Sequence, residues 1–231
     1  MELTILMPCL NEAESVSFCV QEAVEYLRSR EIPGEVLIAD NGSTDGSREL
    51  ALAAGARVTD VPEKGYGNAI RRGIEEANGR YVIVGDCDGS YDFSDLDLML
   101  ENLRRGWHLV IGNRYAGGIE PEAMPFSHRY VGVPLLSWLG RCRFKVDVTD
   151  FHCGLRGLER AAALEAGFRC SGMEFATETI GRFADAEYRI CQVPVHLRKD
   201  LRSRPGHLRT VPDGIRHLML ILFWKRKYCS R

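Results

Sequence analysis

Tyr81-Val82-Ile83-Val84-Gly85-Asp86-Cys87-Asp88-Gly89-Ser90 is a short apolar run that stops at two carboxylates one residue apart. A β-branched run this short, bounded by glycine, reads as a buried strand rather than a helix. If the chain stays extended past the strand end, alternation puts Asp86 and Asp88 on the same side. Two hard oxygen ligands so placed suit Mg²⁺ or Mn²⁺, with water and a ligand's phosphates completing the coordination. The same letters also spell a polar turn, because Asp and Gly are common turn residues. The order of the elements on either side decides between the two.

Upstream, Leu3 to Pro8 is a first strand, followed by a helix from Asn11 to about Arg30, with Asn11 as its cap and Glu14 as the reciprocal partner. Pro33-Gly34 breaks the chain. Glu35 to Ala39 is a second strand, ending in the Asx- and Gly-rich turn Asp40-Asn41-Gly42-Ser43-Thr44-Asp45-Gly46 and a helix from Ser47 to Ala54. Arg57 to Val61 is a third strand, and Lys64-Gly65-Tyr66-Gly67-Asn68 is a glycine-bearing loop feeding a helix to Ala77. Downstream come a helix from Ser94 to Arg105 and a fifth strand from His108 to Gly112. This alternation predicts an α/β domain, its sheet mainly parallel and covered by helices on both faces. Ligands of such sheets bind beyond the carboxyl ends of the strands. Four polar loops fall there, which favours a site over an ordinary turn.

The second half is less regular. A Gly/Pro-rich loop spans Asn113 to Ser127, and a helix runs from Tyr130 to Arg141 with Pro134 near its start. Phe151 to Arg156 reads as a turn and an edge strand, Met173 to Ala184 as a helix with Glu174 and Glu178 on one face, and Tyr188 to Val193 as a last strand. A basic stretch follows from Arg198 to Arg209, then a short apolar helix from Gly214 to Trp224 flanked by Arg216, Lys225, Arg226 and Lys227.

With 231 residues the chain makes one large domain or two small ones. Apolar content of 45% and charged content of 27% are those of a soluble globular protein. A net charge of −2 argues against a general nucleic-acid binder. The eight cysteines show no C-x-x-C pair and read as reduced, small apolar residues of a cytosolic protein. The chain opens almost directly on a strand, so no signal peptide is expected, and no apolar stretch approaches the ~20 residues that span a bilayer.

Met7-Pro8-Cys9-Leu10-Asn11-Glu12, then Ala39 to Asp45, then Gly85-Asp86-Cys87-Asp88 resembles the family 2 glycosyltransferases of the GT-A fold. Asp88 to Phe93 and Gly172 to Glu178 resemble the branch of dolichol-phosphate mannose synthases and bacterial polyprenyl-phosphate hexose synthases. Relatives commonly carry a second acid where this chain has Asn41, and many continue into transmembrane helices past the basic stretch. The resemblance implies a catalytic domain over residues 1–197 and a basic, acceptor-side segment with a C-terminal helix over 198–231. It implies transfer of a hexose, with inversion, from a GDP- or UDP-sugar to a polyprenyl or dolichyl phosphate. A small-molecule acceptor is the alternative. The expected setting is the cytoplasm, with peripheral contact at the membrane face through the apolar helix and its cations.

The resemblance also assigns residues. Asp86 and Asp88 hold the metal and the donor's phosphates, with Ser90 completing the coordination directly or through water. Asp40 recognises the nucleobase, although it equally fits an Asx turn or a helix cap. Pro8, Leu10 and Glu12 line the nucleotide cleft, and Lys64, Gly65 and Gly67 let the backbone approach the nucleotide. Arg114, Arg202, Arg204, His207 and Arg209 suit a phosphate, because guanidinium pairs with it bidentately. Asp150, then Glu174, are the candidates for a general base toward a hydroxyl acceptor, with His152 also in this region; Asp150 equally fits a partner for Arg156 or a backbone amide. His108 and His128 read as structural. A sugar nucleotidyltransferase would carry a Gly-rich, Arg-bearing loop where this chain has Pro8-Cys9-Leu10-Asn11, and an idle binding module would not need both Asp86 and Asp88.

Overall fold

The computed structural model describes residues 1–204 and 209–225. The first strand, β1 (Leu3–Cys9), lies beside β2 (Gly34–Asp40), which lies beside β3 (Arg57–Asp60); on its other side β1 pairs with β4 (Tyr81–Val84). All of these pairings are parallel. Beyond β4 the sheet continues through β6 (Arg156–Glu159), β5 (Leu109–Asn113) and β7 (Ile190–Pro194). Every residue of β4 is buried, although alternate side chains leave opposite faces, so the sheet is covered on both sides. Leu3, Ile5, Leu6 and Met7 of β1 and Ile83 of β4 are wholly buried and form the centre of the core.

The stretch expected as an edge strand is instead central. β6 runs antiparallel between β4 and β5. The chain leaves β5 at the carboxyl rim through the short helix α5 (Arg114–Gly117), a π-helical turn at His128–Gly132 and α6 (Val133–Phe144). It therefore returns from that rim, and Val84, the last residue of β4, faces Arg156, the first of β6. This reversal places residues 150–155 among the loops that end the parallel strands.

The remaining helices are α1 (Val16–Ser29), α2 (Ser47–Ala53), α3 (Tyr66–Glu76), α4 (Asp97–Arg104), α7 (Arg160–Ala166), α8 (Phe175–Asp185) and α9 (Thr210–Leu222). The sequence pattern missed α7. The first helix starts at Val16 rather than Asn11. Asn11 has φ 57° and its Oδ1 accepts from the Thr44 amide at 2.8 Å, so it ties two rim loops together instead of capping. Glu14 accepts from the Ser203 amide at 2.6 Å. Glu174 precedes α8, whereas Glu178 is buried and accepts from the amides of Arg169 and Cys170, so the two acids do different work.

Gly65 and Gly67 permit a close approach, but to protein. A Cβ on either would run into the backbone carbonyl of Ser171 or Cys170, and the Gly67 amide donates to Ser171 O at 2.9 Å. Gly67→Ala is therefore expected to cost about 2 kcal/mol by overpacking. Thermal unfolding should show this as a drop of roughly 4–8 °C.

Candidate active site

The carboxyl ends of β1, β2 and β4 open onto a cavity of about 800 Å³. One half is bordered by Pro8, Leu10, Glu12, Asn41, Lys64 and the Asp86–Asp88 loop. The other is bordered by Arg114, His128, His152 and Arg156, with residues from α6, α8 and α9.

The Asp86–Asp88 loop is held from several sides. Ser15 Oγ donates to Cys87 O at 2.8 Å, and the Cys87 thiol donates to Pro8 O at 3.2 Å. Tyr66 OH donates to Asp86 Oδ1 at 3.0 Å. Gly154 packs against the other oxygen, where a Cβ would come within 2.5 Å of Asp86 Oδ2. Tyr91 OH receives the Gly154 amide at 2.8 Å and so holds that approach. Sequence reasoning gave no role to Tyr66, Tyr91 or Gly154. Their only signal was closeness in sequence to rim loops.

Burial, reinforced by the charge of Asp88, raises the Asp86 carboxyl to about 6. Burial likewise raises Glu12 to about 7, against the opposing pull of Arg202 and Arg204. Positive charge comes from the segment after β7. Arg202 Nη2 donates to Asp88 Oδ2 at 2.5 Å, and Arg202 Nη1 to Glu12 Oε1 at 3.3 Å. Arg204 reaches Glu12 at 3.4 Å and donates to Leu10 O at 3.2 Å. The segment is pinned by backbone bonds from Arg198 N to Ser90 O at 2.9 Å and from Leu201 N to Asp88 O at 2.8 Å. Gly89, at φ 85°, leaves room for the Leu201 side chain. His207, expected beside these arginines, lies outside the described residues, as do Arg226 and Lys227.

Several expected residues face elsewhere. Ser90 does not border the cavity; its hydroxyl donates to Asp88 Oδ1 at 2.6 Å and orients that carboxylate. Asp40 is buried on its own turn, accepting from the amides of Gly42 and Ser43 at 3.2 Å, the Asx-turn reading of its position. Its neighbour Asn41 reaches further: Nδ2 donates to Val61 O and Glu63 O, and Oδ1 accepts from the Gly65 amide at 2.7 Å. Lys64 Nζ donates to Asn41 O at 2.5 Å.

Asp150 is wholly buried and holds Arg114, not Arg156. Arg114 Nε and Nη2 donate to its two oxygens at 2.7 Å each, and the Arg114 amide adds a third bond at 3.2 Å. A carboxylate so engaged positions a guanidinium and has no free oxygen turned to the cavity for a base. Removing it would strand a buried charge at a cost of about 3–5 kcal/mol. Glu174 lies just outside the cavity lining, with Oε1 accepting from the Gly172 amide at 3.3 Å. His108 accepts from the Arg189 amide and stacks on Tyr188, as a structural histidine does. His128 instead borders the cavity, 3.0 Å from Thr210 Oγ1.

Among the described residues no three His, Cys, Asp or Glu side chains converge as a ready metal cage. Asp86 and Asp88 supply oxygen donors only, on one shielded rim, which fits a hard divalent cation whose other ligands come from water and phosphate. Because burial raises Asp86 from its ordinary 3.8 to about 6, the folded chain prefers the neutral acid. Its ionised form is penalised above pH 6, and the penalty vanishes below about pH 4, where both states are protonated. Asp86→Asn, which keeps an acceptor for Tyr66, is therefore expected to stabilise the ligand-free protein at pH 8 by about 1–3 kcal/mol. Melting curves at pH 8 and pH 4 check this; the gain should be absent at the lower pH.

The family model described as glycosyl transferase family 2 matches residues 4–167. Over 221 residues, 95% of this chain, the sequence is 35% identical to the low-salt glycan biosynthesis hexosyltransferase Agl6 of Haloferax volcanii. The chain spans about half of that protein's length, 53%. A dolichyl-phosphate hexose transferase of the same organism is 26% identical over 211 residues, covering 91% of this chain and 87% of that protein. Among solved structures, glucosyl-3-phosphoglycerate synthase from Mycobacterium tuberculosis, in complex with Mn²⁺, UDP and phosphoglyceric acid, superposes with a TM-score of 0.71. It is 23% identical and the match covers 95% of this chain and 78% of that one, a likeness of fold. The chain belongs to glycosyl transferase family 2 and is a glycosyltransferase with the GT-A fold.

Proposed function

We propose that this enzyme moves a hexose from a nucleoside diphosphate sugar to a polyprenyl phosphate, by single displacement with inversion, using Mg²⁺ or Mn²⁺. The observation that carries the reading is the continuity of one cavity from the Asp86–Asp88 rim to a half bordered by arginine, histidine and two partly apolar helices. Asp86 and Asp88 would hold the cation, which acts as a Lewis acid toward the departing diphosphate. Pro8, Leu10, Glu12, Asn41 and Lys64 border the nucleotide half. Arg202 and Arg204 are placed to neutralise charge on the leaving group once Asp88 is otherwise engaged. A phosphate monoester acceptor is already an anion near neutral pH, so the displacement needs no strong base, in keeping with the closed Asp150–Arg114 pair. Residues 198–204 complete the donor side of the catalytic domain of 1–197, and α9 completes its acceptor side.

The surface beside the cavity supports a lipid acceptor. Tyr130, Val131, Leu135 and Trp138 are exposed on the π turn and α6; Val211, Ile215, Met219 and Phe223 are exposed along and just after α9. The two helices pack on each other and both border the cavity. Exposed Arg141, Lys145, Arg209, Arg216 and Lys225 flank them. An apolar surface ringed by cations suits a bilayer with anionic lipids. Among the described residues no helix is long and apolar enough to cross a membrane.

Two experiments test this. A thermal-shift screen of UDP and GDP with Mn²⁺ should give a stabilisation that Asp88→Asn abolishes; no shift with any nucleoside diphosphate would sink the donor assignment. Sedimentation with phosphatidylglycerol vesicles should pull down the protein, with weaker binding at high salt and at least a tenfold loss in Trp138→Ser/Phe223→Ser. Retention in the supernatant, with nucleotide binding intact, would turn the acceptor toward a small molecule.

A further inference from the structure

His152 stands where the cavity turns from the acids toward α6 and α9. It precedes by two residues Gly154, which abuts Asp86, and both border the cavity. Both ring nitrogens of His152 are shielded from solvent, and neither has a hydrogen-bond partner. The ring meets that of His217 edge to face, with centroids 4.4 Å apart. His217 itself is satisfied, its Nδ1 lying 2.8 Å from Thr177 Oγ1. Buried polar groups are almost always paired, and an imidazole with neither nitrogen engaged is an exception that calls for a reason.

The charges around His152 supply one. Burial first, then His217, Arg114 and Arg156, hold its proton affinity well below the ordinary histidine range. It is therefore neutral, with one N–H to donate and one lone pair. The positive charge of Arg114 is matched by Asp150. Arg156 forms no ion pair with a carboxylate among the described residues, and Asp150 acts on it only at longer range. Arg156 is 4% exposed and donates to three backbone carbonyls, those of Phe151, Cys153 and Ala176. Those bonds use three of its five N–H groups. A buried guanidinium without an ion-pair partner beside an unpartnered imidazole, both on one cavity wall, suits an anion.

We propose that His152 and Arg156 form the oxyanion site for the acceptor, taking the oxygens of a phosphate monoester on the imidazole N–H and the spare guanidinium N–H groups. The site would hold that phosphate on the wall that also carries Gly154 and Asp86, and so next to the donor half. This inference rests on the transferase reading above and adds the residues that select an anionic acceptor over a neutral alcohol. Arg114, held by Asp150, would then shape the wall rather than supply the free charge.

The test uses the full chain, ¹⁵N-labelled at histidine, and three compounds: farnesyl phosphate, inorganic phosphate and farnesol. Farnesyl phosphate should shift the His152 ring signals and farnesol should not. His152→Ala should weaken farnesyl phosphate binding roughly tenfold, the scale of a lost hydrogen bond to a charged group. In the same variant the thermal shift given by nucleoside diphosphate and Mn²⁺ should persist, which shows that the variant is folded and keeps the donor reading separate. Competition of inorganic phosphate with farnesyl phosphate would identify the headgroup as the recognised part. Binding of inorganic phosphate without farnesyl phosphate would retain the oxyanion site and make the acceptor a small phosphate ester. Equal binding of farnesyl phosphate by wild type and His152→Ala, or equal ring shifts with farnesol, would overturn the proposal. So would an unmoved His152 signal with both phosphates while nucleotide still binds.

Discussion

Glu12, Asp86 and Asp88 converge at strand ends that water barely reaches, and their mutual repulsion has to be offset by positive charge. Burial, with the neighbouring carboxylates, raises the first two toward neutrality, yet the chain also brings Arg202 onto Asp88 and Glu12. That demand explains why residues 198–204, with little regular structure of their own, fold back along the rim. Their backbone bonds to Ser90 and Asp88 act in concert with the ion pairs. The acids thus organise the segment that encloses them.

The other half of the cavity follows the same electrostatic logic with the opposite sign. Arg114 is balanced internally by Asp150, so its position is part of the fold. Among the described residues Arg156 donates to three backbone carbonyls and forms no ion pair. The sheet reversal links the two halves. Because β6 begins at the rim, His152, Gly154 and Arg156 stand next to the acids that end β4.

The parallel strands and their rim loops were legible because their signals are local. Alternation, short β-branched runs and Asx-Gly turns each sit within a few residues. The long-range features were not. Phe151 to Arg156 has the composition of an edge strand, and nothing within it says that β4 and β5 will flank its continuation. Asp150 fits a general base or a partner for Arg156 equally well until Arg114 arrives from a distant segment. Asn11 followed by Glu14 fits a capping box, but its backbone adopts a left-handed conformation to reach Thr44. Gly65 and Gly67 announced a close approach without saying to what. Ser90, expected to complete a metal's coordination, instead donates to the Asp88 carboxylate.

The family match ends at residue 167, whereas the cavity is closed by residues of α8 and α9 and by Arg202, all beyond it. The cavity wall is therefore written in two stretches of the gene, one inside the family match and one after it. Mutations accumulating after residue 167 can reshape that wall while the strand ends keep their sequence. Inheritance of the first part with divergence of the second is a simple route to descendants whose cavities differ in shape.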